Sequence, residues 1–355
     1  MTELLIVGGG LAGAILAAES YSREVSFNWI ISHHIPSASY AAYGMCNPVH
    51  YRNMVPTWKA DEFYDISRSF FIGWEKSLQS EFYKEMPVHH LVVNPEEFVQ
   101  WRQNVEITTL WKYTNGEPNI EILHKIAEGY AGSILIKKSF FVSIPSFVES
   151  IRSFFKNQIT KQDFDKKRLI YNNDEWDYEG NTYSKVIFAE GYFGHMNSYF
   201  SQLPFNPCKG EILVLKIPKL DLKEAIHKKI VLLPIGNDHY ICGATYEWDD
   251  LSFNKTEKGS DELLNDLKQI IGDKYVYKII DHKAGVRPSV SDRRPLVGWH
   301  PVHNGIGILN GYGSRGLMVG PVATKNLLDN WQKGIEILPD WNIERFRKRL
   351  LKTVE

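Results

Sequence analysis

Leu4-Leu5-Ile6-Val7-Gly8-Gly9-Gly10-Leu11-Ala12-Gly13-Ala14 is the stretch whose reading decides the fold. Four consecutive apolar residues predict a buried strand, and the alanine-rich run after Gly13 predicts a helix. Between them lies Gly8-x-Gly10-x-x-Gly13, in the strand–turn–helix order that binds dinucleotides. Each glycine has its own task. Gly8 permits the tight turn, Gly10 lets a pyrophosphate approach the backbone, and Gly13 lets the helix pack close to the strand. The helix N-terminus, at Leu11 and Ala12, then offers free N–H groups and the positive end of its dipole to the phosphates.

One element departs from the pattern. A second strand is predicted over Phe27 to Ile31, and its end should carry a carboxylate for the ribose hydroxyls. Here Ser32 follows, then His33 and His34. A serine hydroxyl can accept a ribose hydrogen bond, more weakly than a carboxylate does.

Composition narrows the classes. The length, 355 residues, suits two domains or one interleaved pair. A net charge of −1 argues against a dominant nucleic-acid footprint, although a local patch remains open. The three cysteines, Cys46, Cys208 and Cys242, lie far apart, which argues for a reducing compartment and against a disulfide or a zinc site. No metal site is expected. The N-terminal apolar run is too short for a signal peptide, and no run reaches the ~18 residues a membrane span needs. The expectation is a soluble cytoplasmic protein.

Further along, residues 33–58 form a long loop rich in small residues, and such loops are seldom idle. Residues 60–83 predict an aromatic-rich helix, and Pro145 marks a helix start. Val186 to Gly191 reads as another buried strand ending in a glycine turn. Residues 209–248 predict antiparallel strands, and Ser260 to Ile271 an amphipathic helix capped by Ser260. The C-terminal part carries Gly285-Val286-Arg287-Pro288, then a strand over Ile306 to Leu309, then Tyr312-Gly313-Ser314-Arg315-Gly316-Leu317 and a helix from Pro321 to Trp331. Arg345 to Lys352 forms a short basic tail, read as a solvated helix face.

Taken in order, Gly8 to Gly13, Ala41 to Pro48, Ala189-Glu190-Gly191, Gly285 to Pro288 and Gly313 to Leu317 resemble the D-amino-acid oxidase superfamily of FAD enzymes, over essentially the full chain. Within it the sequence is similar to glycine/sarcosine oxidases. The run Tyr312 to Pro321, with Gly243 to Tyr246, is also similar to the FAD domain of the tRNA wobble-uridine modification protein, which removes a carboxymethyl group from a modified uridine. The resemblance implies an α/β fold, α+β overall: a Rossmann-like FAD domain from 1–58, 140–205 and 280–355, and an inserted mixed-sheet substrate domain from 59–139 and 206–279. It implies non-covalent FAD.

The resemblance also implies a reaction: hydride passes from the carbon beside an uncharged amine to flavin N5, and water hydrolyses the imine. Arg287 matches the family position that pairs with a substrate carboxylate, and Arg315 is a second candidate. Ser39, Ala42, Gly44, Met45, Ala189 and Gly191 are expected to contact the flavin nucleotide with Ser32. Gly313, Ser314, Arg315, Gly316 and Leu317 would meet the flavin ring, where backbone N–H groups at a helix start favour developing negative charge. Tyr246, Trp248 and Tyr240 would wall the substrate, and His50 and Arg52 are weaker cavity candidates. Arg293 and Arg294 read as structural, with Asp292 as partner. Three functions stay open: oxidation of a small amine or amino acid, modification of a tRNA uridine, and a degenerate flavin fold without catalysis.

Overall fold

The computed structural model describes residues 2–32 and 36–351; His33, His34 and Lys352 lie outside them. The first sheet has six strands in the order Ile159–Lys161, Phe27–Ile31, Leu4–Val7, Lys185–Phe188, Ile306–Asn310, Leu296–Trp299. The first five are parallel and the last pairs antiparallel.

Parallel strands of this kind are buried on both faces, which explains why Leu4 to Val7 shows no polar alternation. Leu4 and Ile6 pack with the helices Leu11–Ser22, Ile144–Phe154 and Gly316–Lys333. Leu5 and Val7 face the opposite way, onto Trp176, Tyr178 and Tyr183 of an antiparallel meander spanning Leu169–Asn172, Glu175–Tyr178 and Asn181–Tyr183.

The second sheet has eight strands. Its largest pairing joins Lys278–Arg287 to Cys208–Lys216 from Arg287↔Cys208 to Lys278↔Lys216. The helix Glu257–Ile271 covers one face, with Leu263, Leu267 and Ile270 on Leu213, Leu215 and Cys242. Two expected boundaries shift. The strand Lys278–Arg287 is one element of this second sheet, so a division at 280 cuts it. The helix Ala60–Leu78, expected with the substrate domain, packs on the nucleotide side: Ser67 Oγ donates to Met318 O at 2.6 Å, and Phe63 stacks on Trp341. Thr256, not Ser260, caps the helix Glu257–Ile271, its hydroxyl accepting from Gly259 N at 3.0 Å. No helix among the described residues is long and apolar enough to cross a membrane.

Candidate active site

A cleft of about 1380 Å³ opens at the carboxyl ends of the parallel strands, where α/β sheets bind their ligands. Its floor is the glycine turn. Gly8 holds φ +123°, and a Cβ there would overlap the Ala189 carbonyl oxygen of the neighbouring strand end. A Cβ on Gly13 would overlap the Gly8 carbonyl, so the helix sits as close to the strand as the pattern requires. Gly10 is the N-cap of the helix Leu11–Ser22, and a Cβ would stand 3.2 Å from both Ser37 Oγ and Ser39 Oγ. These two hydroxyls order the turn: Leu11 N donates to Ser39 Oγ at 2.9 Å, and Ser39 N donates to Ser37 Oγ at 3.2 Å. Arg152 ties the far side, donating to Gly9 O at 2.5 Å and to Tyr40 Oη at 2.7 Å.

All the positions expected to touch the cofactor line this cleft except Gly13 and Arg315. Gly13 serves instead through the close helix–strand contact. Arg315 is a correction. Its guanidinium donates to Arg293 O at 2.8 Å and lies 6.0 Å from the Trp58 ring, turned away from the cleft. Burial, with Arg294 and Arg293 nearby, pulls its pKa below the usual arginine value. Gly316 and Leu317 line the cleft, and as the first residues of the helix Gly316–Lys333 their N–H groups have no acceptor within it.

The other end of the cleft is built by the second sheet. Arg287 ends the strand Lys278–Arg287 and lays its guanidinium across Gly210, where any Cβ would overlap it. Nη1 donates to Lys209 O at 3.2 Å and Nη2 to Thr245 O at 3.1 Å. The Tyr246 ring stacks on the guanidinium at 4.4 Å. Behind it, buried Lys209 is held by Asp250 at 2.5 Å and Glu211 at 3.5 Å, which fixes the strand carrying Gly210. Among the described residues no carboxylate forms an ion pair with Arg287. The remaining N–H groups of its fork are therefore unopposed by protein charge.

Tyr43 faces the same space. Burial, with Tyr246 and Cys46 adding to it and Arg287 opposing, pushes its hydroxyl up to about 12, so it stays a neutral donor at physiological pH. Tyr246 and Trp248 stack on one another and are 54% and 55% exposed, so they form a rim rather than a wall. Tyr240 does not belong: it is buried in the core of the second sheet, and its hydroxyl accepts from Leu222 N at 3.3 Å. His50 and Arg52 sit on a turn outside the cleft, where His50 Nδ1 accepts from Asn53 N at 3.3 Å. Asp292 forms its ion pair with Arg345 at 2.9 Å, and it meets Arg294 only through the backbone, accepting from Arg294 N at 3.0 Å. All three cysteines are buried, and none of them lines the cleft.

Sequence reading missed Glu190. It lines the cleft beside the glycine turn, and Asn197 Nδ2 donates to it at 2.7 Å. Burial pushes its carboxyl from 4.5 up to about 7, against the pull of that hydrogen bond. A raised folded-state pKa contributes stability that is complete below pH 4.5 and lost as pH rises through about 7. Glu190→Gln is therefore expected to melt like the parent at pH 3.5 and to be more stable by up to about 3 kcal/mol at pH 8. Thermal melts across that range check this; a difference independent of pH overturns it.

A strand–glycine–helix turn thus shares one cleft with a guanidinium that forms no ion pair among the described residues. The model of the FAD-dependent oxidoreductases of the D-amino-acid oxidase type covers residues 3–329. The chain belongs to this family. Its cofactor is accordingly FAD. The glycine oxidase of Bacillus subtilis is 22% identical over 370 residues, covering 96% of this chain and 95% of that protein. The tRNA 5-methylaminomethyl-2-thiouridine biosynthesis bifunctional protein MnmC of Campylobacter jejuni subsp. doylei is 22% identical over 303 residues, 83% of this chain but 46% of that protein. The chain thus spans about half the length of that bifunctional relative. An iminodiacetate oxidase structure from Chelativorans sp. BNC1 superposes with a TM-score of 0.78 at 20% identity, covering 97% of this chain and 98% of that one.

Proposed function

We propose that this FAD-dependent oxidoreductase oxidises the C–N bond of a carboxylated amine. When bound, FAD would supply the two-electron acceptor for the carbon beside the neutral amine, and water would hydrolyse the imine left behind. The observation that carries the reading is Arg287, a guanidinium on the cleft wall without a carboxylate partner among the described residues. Its two backbone hydrogen bonds aim the fork, and the remaining N–H groups fit a carboxylate in two-point contact. Tyr43 offers a protonated hydroxyl beside it. The N–H groups of Gly316 and Leu317, at a helix start on the cleft wall, would favour negative charge on a reduced flavin, because they cost no reorganisation when that charge develops. The family's iminodiacetate, glycine and MnmC members are named for amines or modified uridines, and a carboxymethylamine is common ground among these readings.

A second reading has its own observation. Arg294 and Arg315 lie 4.3 Å and 6.0 Å from the Trp58 ring, Arg293 lies beside Arg315, and none of the three forms an ion pair among the described residues. Such a patch beside Ser314 suits the phosphates of a tRNA whose modified uridine enters the cleft.

One experiment separates them. The flavin absorbance is followed without oxygen while glycine, sarcosine, D-amino acids and a tRNA carrying a carboxymethylaminomethyl uridine are added in turn. Bleaching by a small amine supports the first reading. Bleaching by the tRNA alone, with binding that weakens steeply as salt rises, supports the second. No bleaching by any of them removes the carboxylated amine from the site.

A further inference from the structure

The missing ribose carboxylate has a replacement elsewhere in the chain. The strand Ile159–Lys161 lies parallel to Phe27–Ile31 at the sheet edge, with Ile159↔Trp29, Thr160↔Ile30 and Lys161↔Ile31 in register. Gln162 N continues the ladder to Ile31 O at 3.0 Å. The edge strand therefore leaves the sheet alongside Ser32, at the height where the dinucleotide pattern ends its second strand. The next residue is Asp163. Ser32 Oγ donates to Asp163 Oδ1, and both residues line the cleft at the glycine-turn end.

We infer that Asp163 is the carboxylate that holds the adenosine ribose of FAD, with Ser32 as its positioning residue. The pattern needs an acidic group at one point in space, above the C-terminal edge of the second strand, and not at one position in sequence. A serine at position 32 cannot supply that charge. It can donate its hydroxyl proton to a carboxylate arriving from the adjacent strand. One oxygen of Asp163 is then fixed, and the second oxygen with its spare lone pairs can accept from the vicinal 2′- and 3′-hydroxyls. Such O–H···O⁻ bonds are among the stronger kinds. The side chain is exposed in the cleft mouth rather than committed to the core. The inference rests on FAD binding alone and is independent of which amine is oxidised.

The test titrates FAD into full-length apoprotein, following quenching of flavin fluorescence, with ADP and 2′-deoxy-ADP as competitors. Asp163→Ala is expected to raise the Kd for FAD about 10- to 100-fold, the usual loss for a hydrogen bond to a charged group. It should also abolish the preference for ADP over 2′-deoxy-ADP that the inference expects of the parent. Adding Ser32→Glu to Asp163→Ala, which returns a carboxylate to the customary place, is expected to restore most of the affinity. Asp163→Asn, closest in shape, guards against a change in folding and should lose the same preference. A Kd within twofold of the parent overturns the inference. So does a weaker Kd with the ribose preference intact, because Asp163 would then act only on loop structure.

Discussion

Arg287→Ala is expected to raise KM for a carboxylated amine by two to three orders of magnitude while FAD remains bound. The pair it removes is a guanidinium fork against a carboxylate in a partly dewatered cleft, and truncating one side of such a pair costs about 3–4 kcal/mol. Each 1.4 kcal/mol is roughly a factor of ten. The carboxylate does not change charge during oxidation, so it is held equally before and during the chemical step. Loss of such uniform binding appears in KM more than in kcat. Arg287→Lys should recover only part of the effect. An ammonium has no planar fork, and it cannot at once reach Lys209 O, Thr245 O and the substrate. Gly210→Ala gives an independent check without altering charge, because its methyl group would occupy the place of the guanidinium and displace it. Steady-state kinetics with flavin content measured alongside decide the matter. An unchanged KM in Arg287→Ala takes the residue out of the site.

The glycine turn could be read from the sequence because backbone geometry dictates it, whereas Arg287 is expected only from the resemblance, and the structure adds its place at a strand end on the cleft wall. A pyrophosphate cradle needs small residues at fixed spacing, and a strand end fixes where its last side chain emerges. Arg315 could not be read in the same way. Its two flanking glycines fix the course of the backbone at the start of Gly316–Lys333, yet its side chain follows the carbonyl of Arg293, a partner 22 residues away. Tyr240 failed for a related reason: alternate residues of a strand point to opposite faces, and only pairing shows which face meets the cleft. Asp163 and Glu190 lay beyond any local pattern. The contact between Ser32 and Asp163 joins residues 131 apart, and it exists because an edge strand adds itself beside the second strand. Glu190 looks like an ordinary turn residue until the fold buries it. Sequence spacing therefore marks the expected phosphate cradle, which is one continuous segment, and leaves unmarked the proposed ribose site, which needs two strand ends brought together.

The cradle itself yields the second large effect. Gly10→Val is expected to give a folded, colourless protein whose affinity for FAD falls more than about 100-fold, whereas Gly13→Val is expected to lose the fold as well. The difference lies in what each added side chain meets. At Gly10 the first atom would stand 3.2 Å from two serine hydroxyls, and these can yield by rotation. Its branched methyl groups then fill the space in front of the helix start, where the pyrophosphate must approach. At Gly13 the added carbon would overlap the Gly8 carbonyl oxygen, which also accepts from Trp29 Nε1 at 2.8 Å. Backbone against backbone cannot yield by rotation, so the helix must lift from the strand and expose the core beneath it. The measurement pairs the ratio of flavin to protein absorbance with a thermal melt. For Gly10→Val the melt should stay cooperative and equal that of the parent apoprotein, missing only the stabilisation that bound FAD adds by mass action. For Gly13→Val it should fall below the apoprotein. A Gly10→Val protein that keeps its full flavin content would mean that the pyrophosphate crosses the helix start elsewhere, and the cradle described above would lose its assigned ligand.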